Sequence, residues 1–222
     1  MERRKKRISM LRDIKHNLIL DAALTVFSDK GFHPTRLEDI AKEAGFSKAA
    51  LYNYYSDKEN IFFALALREH VKVRERFVSD PSSSISNENS FSTNLKHYIE
   101  TILDTFHSNF SFLVTLDELQ FSSVFNVQEP GSKLDSIKCE LFNERKKIRK
   151  YITDSVEWAR KAKVIDTPLS TDRIASCIEG LIFSIFREWR RTQQIGDIEK
   201  TVEELVLFGL KGCNLIHTED GE

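Results

Sequence analysis

The chain has 222 residues, 41% of them hydrophobic and 30% charged, the balance of a soluble globular protein with room for one large domain or two smaller ones. Sixteen Phe beside eight Gly and four Pro favour a helical chain with a large aromatic interior over a strand-and-turn fold. A formal net charge of −1 hides an asymmetry: Met1 to Lys58 carries twelve Lys/Arg against eight Asp/Glu, and the remainder 21 against 26, a basic module on an acidic body.

No apolar run approaches the roughly 18 residues of a membrane-spanning helix, so no membrane association is expected. The N-terminus has no apolar core before Leu18, which argues against a signal peptide. Cys139, Cys177 and Cys213 are far apart and odd in number, a pattern of buried, reduced thiols in a cytoplasmic protein rather than a disulfide framework.

In chain order, Arg3 to Arg7 form a dense basic run. It reads either as a solvated tail or as an arm following DNA phosphates or entering a minor groove, and residues 1–12 are expected to be a flexible arm. From Asp13 a stripe of Leu18, Ile19, Ala22, Ala23, Val26 and Phe27 predicts an amphipathic helix that stops at Gly31. His33-Pro34 turns the chain, and Leu37, Ile40, Ala41 and Ala44 lay an apolar stripe on a short second helix. Gly45 can take positive φ past its end, and Ser47 is a good N-cap for a third helix opening at Lys48. Ala50 and Leu51 supply that helix's packing face. Lys48, Ala49, Tyr52, Asn53 and Tyr54 are left outward. Two helices joined by a short Gly-containing turn form a helix-turn-helix, whose second helix enters a DNA major groove. Tyrosines, an asparagine and lysines on that face suit base edges and phosphates better than a merely wetted surface.

The segments Thr35-Arg36-Leu37-Glu38-Asp39-Ile40-Ala41, Ala44-Gly45-Phe46-Ser47-Lys48, Leu51-Tyr52-Asn53-Tyr54-Tyr55 and Lys58-Glu59 resemble the signature of the tetracycline-repressor (TetR) family. Ala22 to Phe27 and Gly31-Phe32 are similar to that family's first helix, so the likeness covers roughly residues 15–65. It implies an all-α protein of about nine helices, with an N-terminal three-helix DNA-binding domain (1–57) and a C-terminal helical ligand-binding and dimerisation domain (58–222). It further implies a homodimer on a palindromic double-stranded operator, acting as a repressor released by a small ligand, in the cytoplasm. Tyr55 sits where the family usually places a core Phe, which assigns Tyr55 to packing and Tyr54 to the DNA face. Arg36 departs from the family's usual Thr or Ser. The expected DNA-binding set is Thr35, Arg36, Lys48, Ala49, Tyr52, Asn53, Tyr54 and Lys58.

Lys58 opens a helix to about Val78 that links the two domains. A polar loop follows from Ser79 to Asn89. Leu95, Tyr98, Ile99, Ile102, Leu103 and Phe106 mark the next helix, a shorter apolar segment runs from Phe110 to Phe121, and Asn126 to Ser132 is a second loop. A long charged helix extends from Leu134 to about Lys163, and two more occupy about 172–193 and 197–216. Their stripes predict a dimer interface of Ile178, Leu181, Ile182, Ile185, Trp189, Val202, Leu205, Val206 and Gly209. The surplus of large aromatics predicts a mostly apolar ligand cavity lined by Phe106, His107, Phe110, Phe121, Phe125, Phe142, Glu179 and Phe183.

Other chemistries find less support. His97, Glu100, Asp104 and His107 share one helical arc, but opposite the apolar stripe, where polar residues are usually just wet, so no metal site is expected. No nucleophile-elbow pattern or Gly-rich phosphate loop is present, and neither an enzyme nor a cofactor is expected. The principal alternative is an architectural helix-turn-helix protein that binds DNA with low specificity and has no ligand switch.

Overall fold

The structure, a computed structural model, describes residues 2–79, 90–120 and 133–212. Among these there are nine α-helices and no strand: α1 Glu2–Lys30, α2 Leu37–Glu43, α3 Lys48–Tyr52, α4 Lys58–Ser79, α5 Ser90–Ser108, α6 Phe110–Gln120, α7 Lys133–Lys161, α8 Thr171–Thr192 and α9 Ile198–Gly212. The fold is all-α. The expected loops 79–89 and 126–132 lie almost wholly outside the described residues, as does Cys213.

The expectation for residues 1–12 is corrected: α1 is one continuous helix from Glu2. No Gly or Pro interrupts residues 2–30, and Arg, Lys, Leu, Met and Ile all sustain a helix, so nothing stops it running back through the basic run. The buried thiols are also corrected, because Cys139 and Cys177 are exposed.

The chain divides into two compact units. The first comprises residues 1–70 and 109–143, and the second residues 71–108 and 144–222. Both α4 and α7 are therefore single helices with residues in each unit. The first unit's core gathers Ile19, Ala23 and Phe27 of α1, Ile40 of α2, Leu51 of α3 and Phe62 of α4, all at most 1% exposed. Around Phe62 the rings of Phe27, Phe32 and Phe63 pack edge to face, with centroids 5.1–5.8 Å apart. Such geometry sets a ring's positive edge on a neighbour's negative face and fixes how the short helices sit.

In the second unit α5 packs against α8 and α9. A Cβ on Gly209 would come within 3.1 Å of Leu95 Cδ2, so glycine is what allows α9 this close to α5. Ser170 caps α8 by accepting from the Arg173 amide, and the helix ends where Gln193 takes a left-handed φ of 56°.

Candidate DNA interface

The reading head is built from local chemistry. Lys30 Nζ and the Arg36 amide both donate to Asp39 (2.8 and 2.9 Å), tying the end of α1 to the start of α2. These two bonds, the lysine's first, hold the Asp39 carboxyl below its ordinary value. Gly45 takes φ +70°, which a side chain would resist, and lets Phe46 N–H reach back to the Ala41 carbonyl at 2.8 Å. Ser47 Oγ then accepts from the Ala50 amide at 3.1 Å and starts α3. Leu51 is 1% exposed and anchors α3 from behind, while Lys48, Ala49, Tyr52 and Asn53 are exposed in front.

The remaining predicted residues have other surroundings. Thr35 is 2% exposed and donates to the Gly31 carbonyl (2.6 Å), so its hydroxyl closes the turn. Arg36 is exposed. Tyr54 is half-buried, edge-on to His16 and Phe46, and Tyr55 is 4% exposed with its hydroxyl 3.2 Å from His16 Nδ1. Burial pushes the Tyr55 hydroxyl up to about 12. Lys48 forms an ion pair with Glu38, which keeps the Glu38 carboxyl below its ordinary value and raises the ammonium. Both partners are about half exposed, so the pair is weak and can exchange for a phosphate.

Lys58 stands apart. Its ammonium donates to three backbone carbonyls, Phe32 and His33 at 3.0 Å and Thr35 at 3.2 Å, and lies 4.6 Å from the centroid of the Phe32 ring. All three N–H bonds of an ammonium are thereby used. Lys58 braces the turn before α2 against α4, where sequence reasoning expected a phosphate contact. Asp57 beside it caps α4, accepting from the Asn60 amide at 2.7 Å. Neither role carried a sequence signal beyond a polar residue at a helix start.

In the second unit the predicted interface residues divide. Ile178, Ile182, Trp189, Val202 and Leu205 are at most 8% exposed and Gly209 is buried, all in the chain's own core. Leu181, Ile185 and Val206 are partly exposed. The outer faces of α8 and α9 present Phe183, Leu207 and Phe208, which are 47, 54 and 62% exposed. Of the predicted ligand residues, Phe106 is buried and packs on Phe183 and Phe186, and Glu179 is partly buried. His107 and Phe142 are exposed, Phe110 is intermediate and belongs to the first unit, and Phe121 and Phe125 lie outside the described residues. The arc of possible metal ligands is dispersed: Asp104 pairs with Arg76, Glu100 with Lys96, and His97 lies edge-on to Phe77.

Residues 19–65, the span from the buried half of α1 into α4, match the model of the bacterial regulatory proteins of the tetR family. Residues 19–65 are a TetR-family DNA-binding domain. The chain is 24% identical over 200 residues to the HTH-type transcriptional regulator AcrR of Shigella flexneri, covering 87% of this chain and 86% of that one. Over 51 residues it is 51% identical to RutR of Escherichia coli K12, 23% of this chain and 24% of RutR. The fold is similar to that of FadR from Bacillus subtilis in complex with stearoyl-CoA, with a TM-score of 0.70 at 18% identity over 88% of this chain and 97% of that one. The chain is thus a transcriptional regulator with a helix-turn-helix DNA-binding head. Its relatives are regulators, not enzymes.

Proposed function

We propose that this TetR-family chain is a ligand-responsive repressor that binds a near-palindromic operator as a homodimer in the cytoplasm. The observation that carries the reading is α3 itself, a capped recognition helix anchored by Leu51 with Lys48, Ala49, Tyr52 and Asn53 exposed together. Lys48 reaches guanine O6/N7 or a phosphate, Ala49 meets a thymine methyl, and Tyr52, Tyr54 and Arg36 hold phosphates that set register. Thr35 and Lys58 shape the turn that presents them. Residues 1–57 serve as the reading head and 58–222 as the regulatory and dimerisation domain, linked by α4.

The dimer forms through the outer faces of α8 and α9. Phe183, Leu207 and Phe208 are large apolar side chains left exposed on adjacent helices, and a symmetry mate would cover them. Two reading heads about 34 Å apart, or a multiple, would then match successive turns of the operator. The ligand is small and mostly apolar, in keeping with an aromatic interior and with stearoyl-CoA in the FadR neighbour. It releases DNA only to the extent that it prefers the non-binding conformation, and a coupling of about 1–3 kcal/mol lowers operator affinity about 5–150-fold.

Selection of genomic fragments by the purified protein tests this reading. A small set of fragments with inverted repeats supports it, whereas indiscriminate retention favours an architectural protein and no retention refutes DNA binding.

A further inference from the structure

Within the second unit one face of α5 is polar and yet closed to solvent. Asn94, Tyr98 and Thr101 recur at four- and three-residue steps, which stacks them along one side of the helix. They are 1, 3 and 1% exposed. A polar seam so well sealed is unlike the wet face that polar residues on an amphipathic helix usually form.

Most of the seam has partners. Tyr151 of α7 donates its hydroxyl to Asn94 Oδ1 at 3.2 Å. The Tyr98 hydroxyl is 3.5 Å from Glu179 Oε1 of α8, and Glu179 is in turn paired with Arg149, whose other nitrogen donates to the Asp172 carbonyl and the Ser176 hydroxyl. Asn94 Nδ2 is the exception, a buried amide nitrogen without an acceptor. Buried donors are almost always satisfied, and one left bare is worse for the fold than a leucine in its place. Aromatic rings pack beside it: the Phe77 ring stacks on Tyr151 (4.7 Å between centroids, 26°) and on Tyr98 (5.6 Å, 22°), and the His97 ring stands edge-on to Phe77.

We propose that Asn94 Nδ2 is the hydrogen-bond donor for the regulatory ligand, and that the ligand presents to it a neutral carbonyl oxygen carried by an apolar chain. This rests on the ligand-responsive reading above and adds the chemical group that is recognised. A carbonyl supplies the acceptor that the amide lacks, and the stacked rings supply the apolar surface beside it. A carboxylate fits less well, because Arg149, the α7 cation bonded into the seam's network, is already matched by Glu179. Burial, which outweighs Arg149, raises the Glu179 carboxyl above its ordinary value, so a second negative charge is unwelcome there. A thioester, an ester and an amide all offer the neutral carbonyl.

The test titrates the full-length protein by calorimetry with decanoyl-CoA, decanoate and decan-1-ol. The decanoyl thioester is expected to bind at least about tenfold more tightly than the other two, the worth of one good hydrogen bond in a buried site. The double variant Asn94→Leu, Tyr151→Phe removes both ends of the buried bond and the bare donor with them. It is expected to lose at least about tenfold in decanoyl-CoA affinity while its ligand-free melting temperature holds or rises. If that variant does not fold, Asn94→Asp replaces the donor with an acceptor and is expected to lose the same affinity. Equal binding of all three probes, binding of none, or variants that keep wild-type affinity would overturn the proposal. Repeating the titration on protein bound to a selected operator fragment separates the two claims. A thioester that needs Asn94 to bind yet leaves DNA affinity unchanged defeats the switch and not the recognition.

Discussion

Replacing Lys58 by methionine separates two roles for one ammonium. Methionine keeps an unbranched apolar stem over the Phe32 ring but can donate to none of the three carbonyls that Lys58 holds at 3.0–3.2 Å. A hydrogen bond to a charged group is worth about 1.5–3 kcal/mol, but these carbonyls lie near the surface and recover water, so the net cost is about 2–4 kcal/mol rather than the sum of three. For a chain of this size that lowers the melting temperature by about 5–12 °C, read by scanning calorimetry. In operator titrations across a salt series, affinity falls because the turn before α2 loosens, while the slope of log affinity on log salt holds. An unchanged melting temperature with a slope smaller by about 0.9 would refute the reasoning, since that is the signature of a lost phosphate contact.

Asp57→Ala removes the α4 cap and is expected to cost about 1 kcal/mol at neutral pH. Burial raises the Asp57 carboxyl, but the Asn60 backbone and side-chain N–H groups and the Ser56 hydroxyl outweigh it and hold it below 3.8. Its stabilisation is therefore full above the ordinary value and lost as pH falls through the lowered one, so the gap between wild-type and variant melts should close as the pH is taken down through the acid range. Glu38→Gln frees Lys48 from its ion pair and should raise operator affinity about two- to fivefold at low salt, with the gain shrinking as salt rises; an unchanged affinity would exclude Lys48 from the interface. Leu207→Asp with Phe208→Asp should yield a folded monomer by sedimentation at micromolar concentration, and a dimer that survives both changes would rule out the outer face of α9.

The reading head was legible because its determinants are local. A 3.6-residue apolar period, a glycine at a helix end and a serine cap each declare themselves within a few residues, and α2, the turn and α3 follow from them. The bracing role of Lys58 was not legible because its acceptors are backbone carbonyls 23–26 residues away, and carbonyls have no sequence signature. The helical state of residues 2–12 was hidden by charge: a dense basic run resembles a disordered tail even where no residue breaks the helix. On α8 and α9 the apolar arcs were legible, but which part of each arc the chain's own core would take was not. The long stripe through Ile178, Ile182 and Trp189 packs in the chain's own core, and Phe183, expected to line a ligand cavity, is exposed on the outer face of α8. Asn94 was invisible for the opposite reason, because a polar residue on an amphipathic helix reads as solvated until the neighbours that bury it are placed.

The central claim, specific reading of DNA by α3, is tested most directly by fluorescence anisotropy on a selected genomic fragment and on a scrambled fragment of equal length. At physiological salt the selected fragment should bind at least about a thousandfold more tightly. Ala49→Glu, which sets a carboxylate against the base edges, should abolish that preference while leaving the melting temperature unchanged. Equal affinity for both fragments, or a preference that survives Ala49→Glu, would contradict the account.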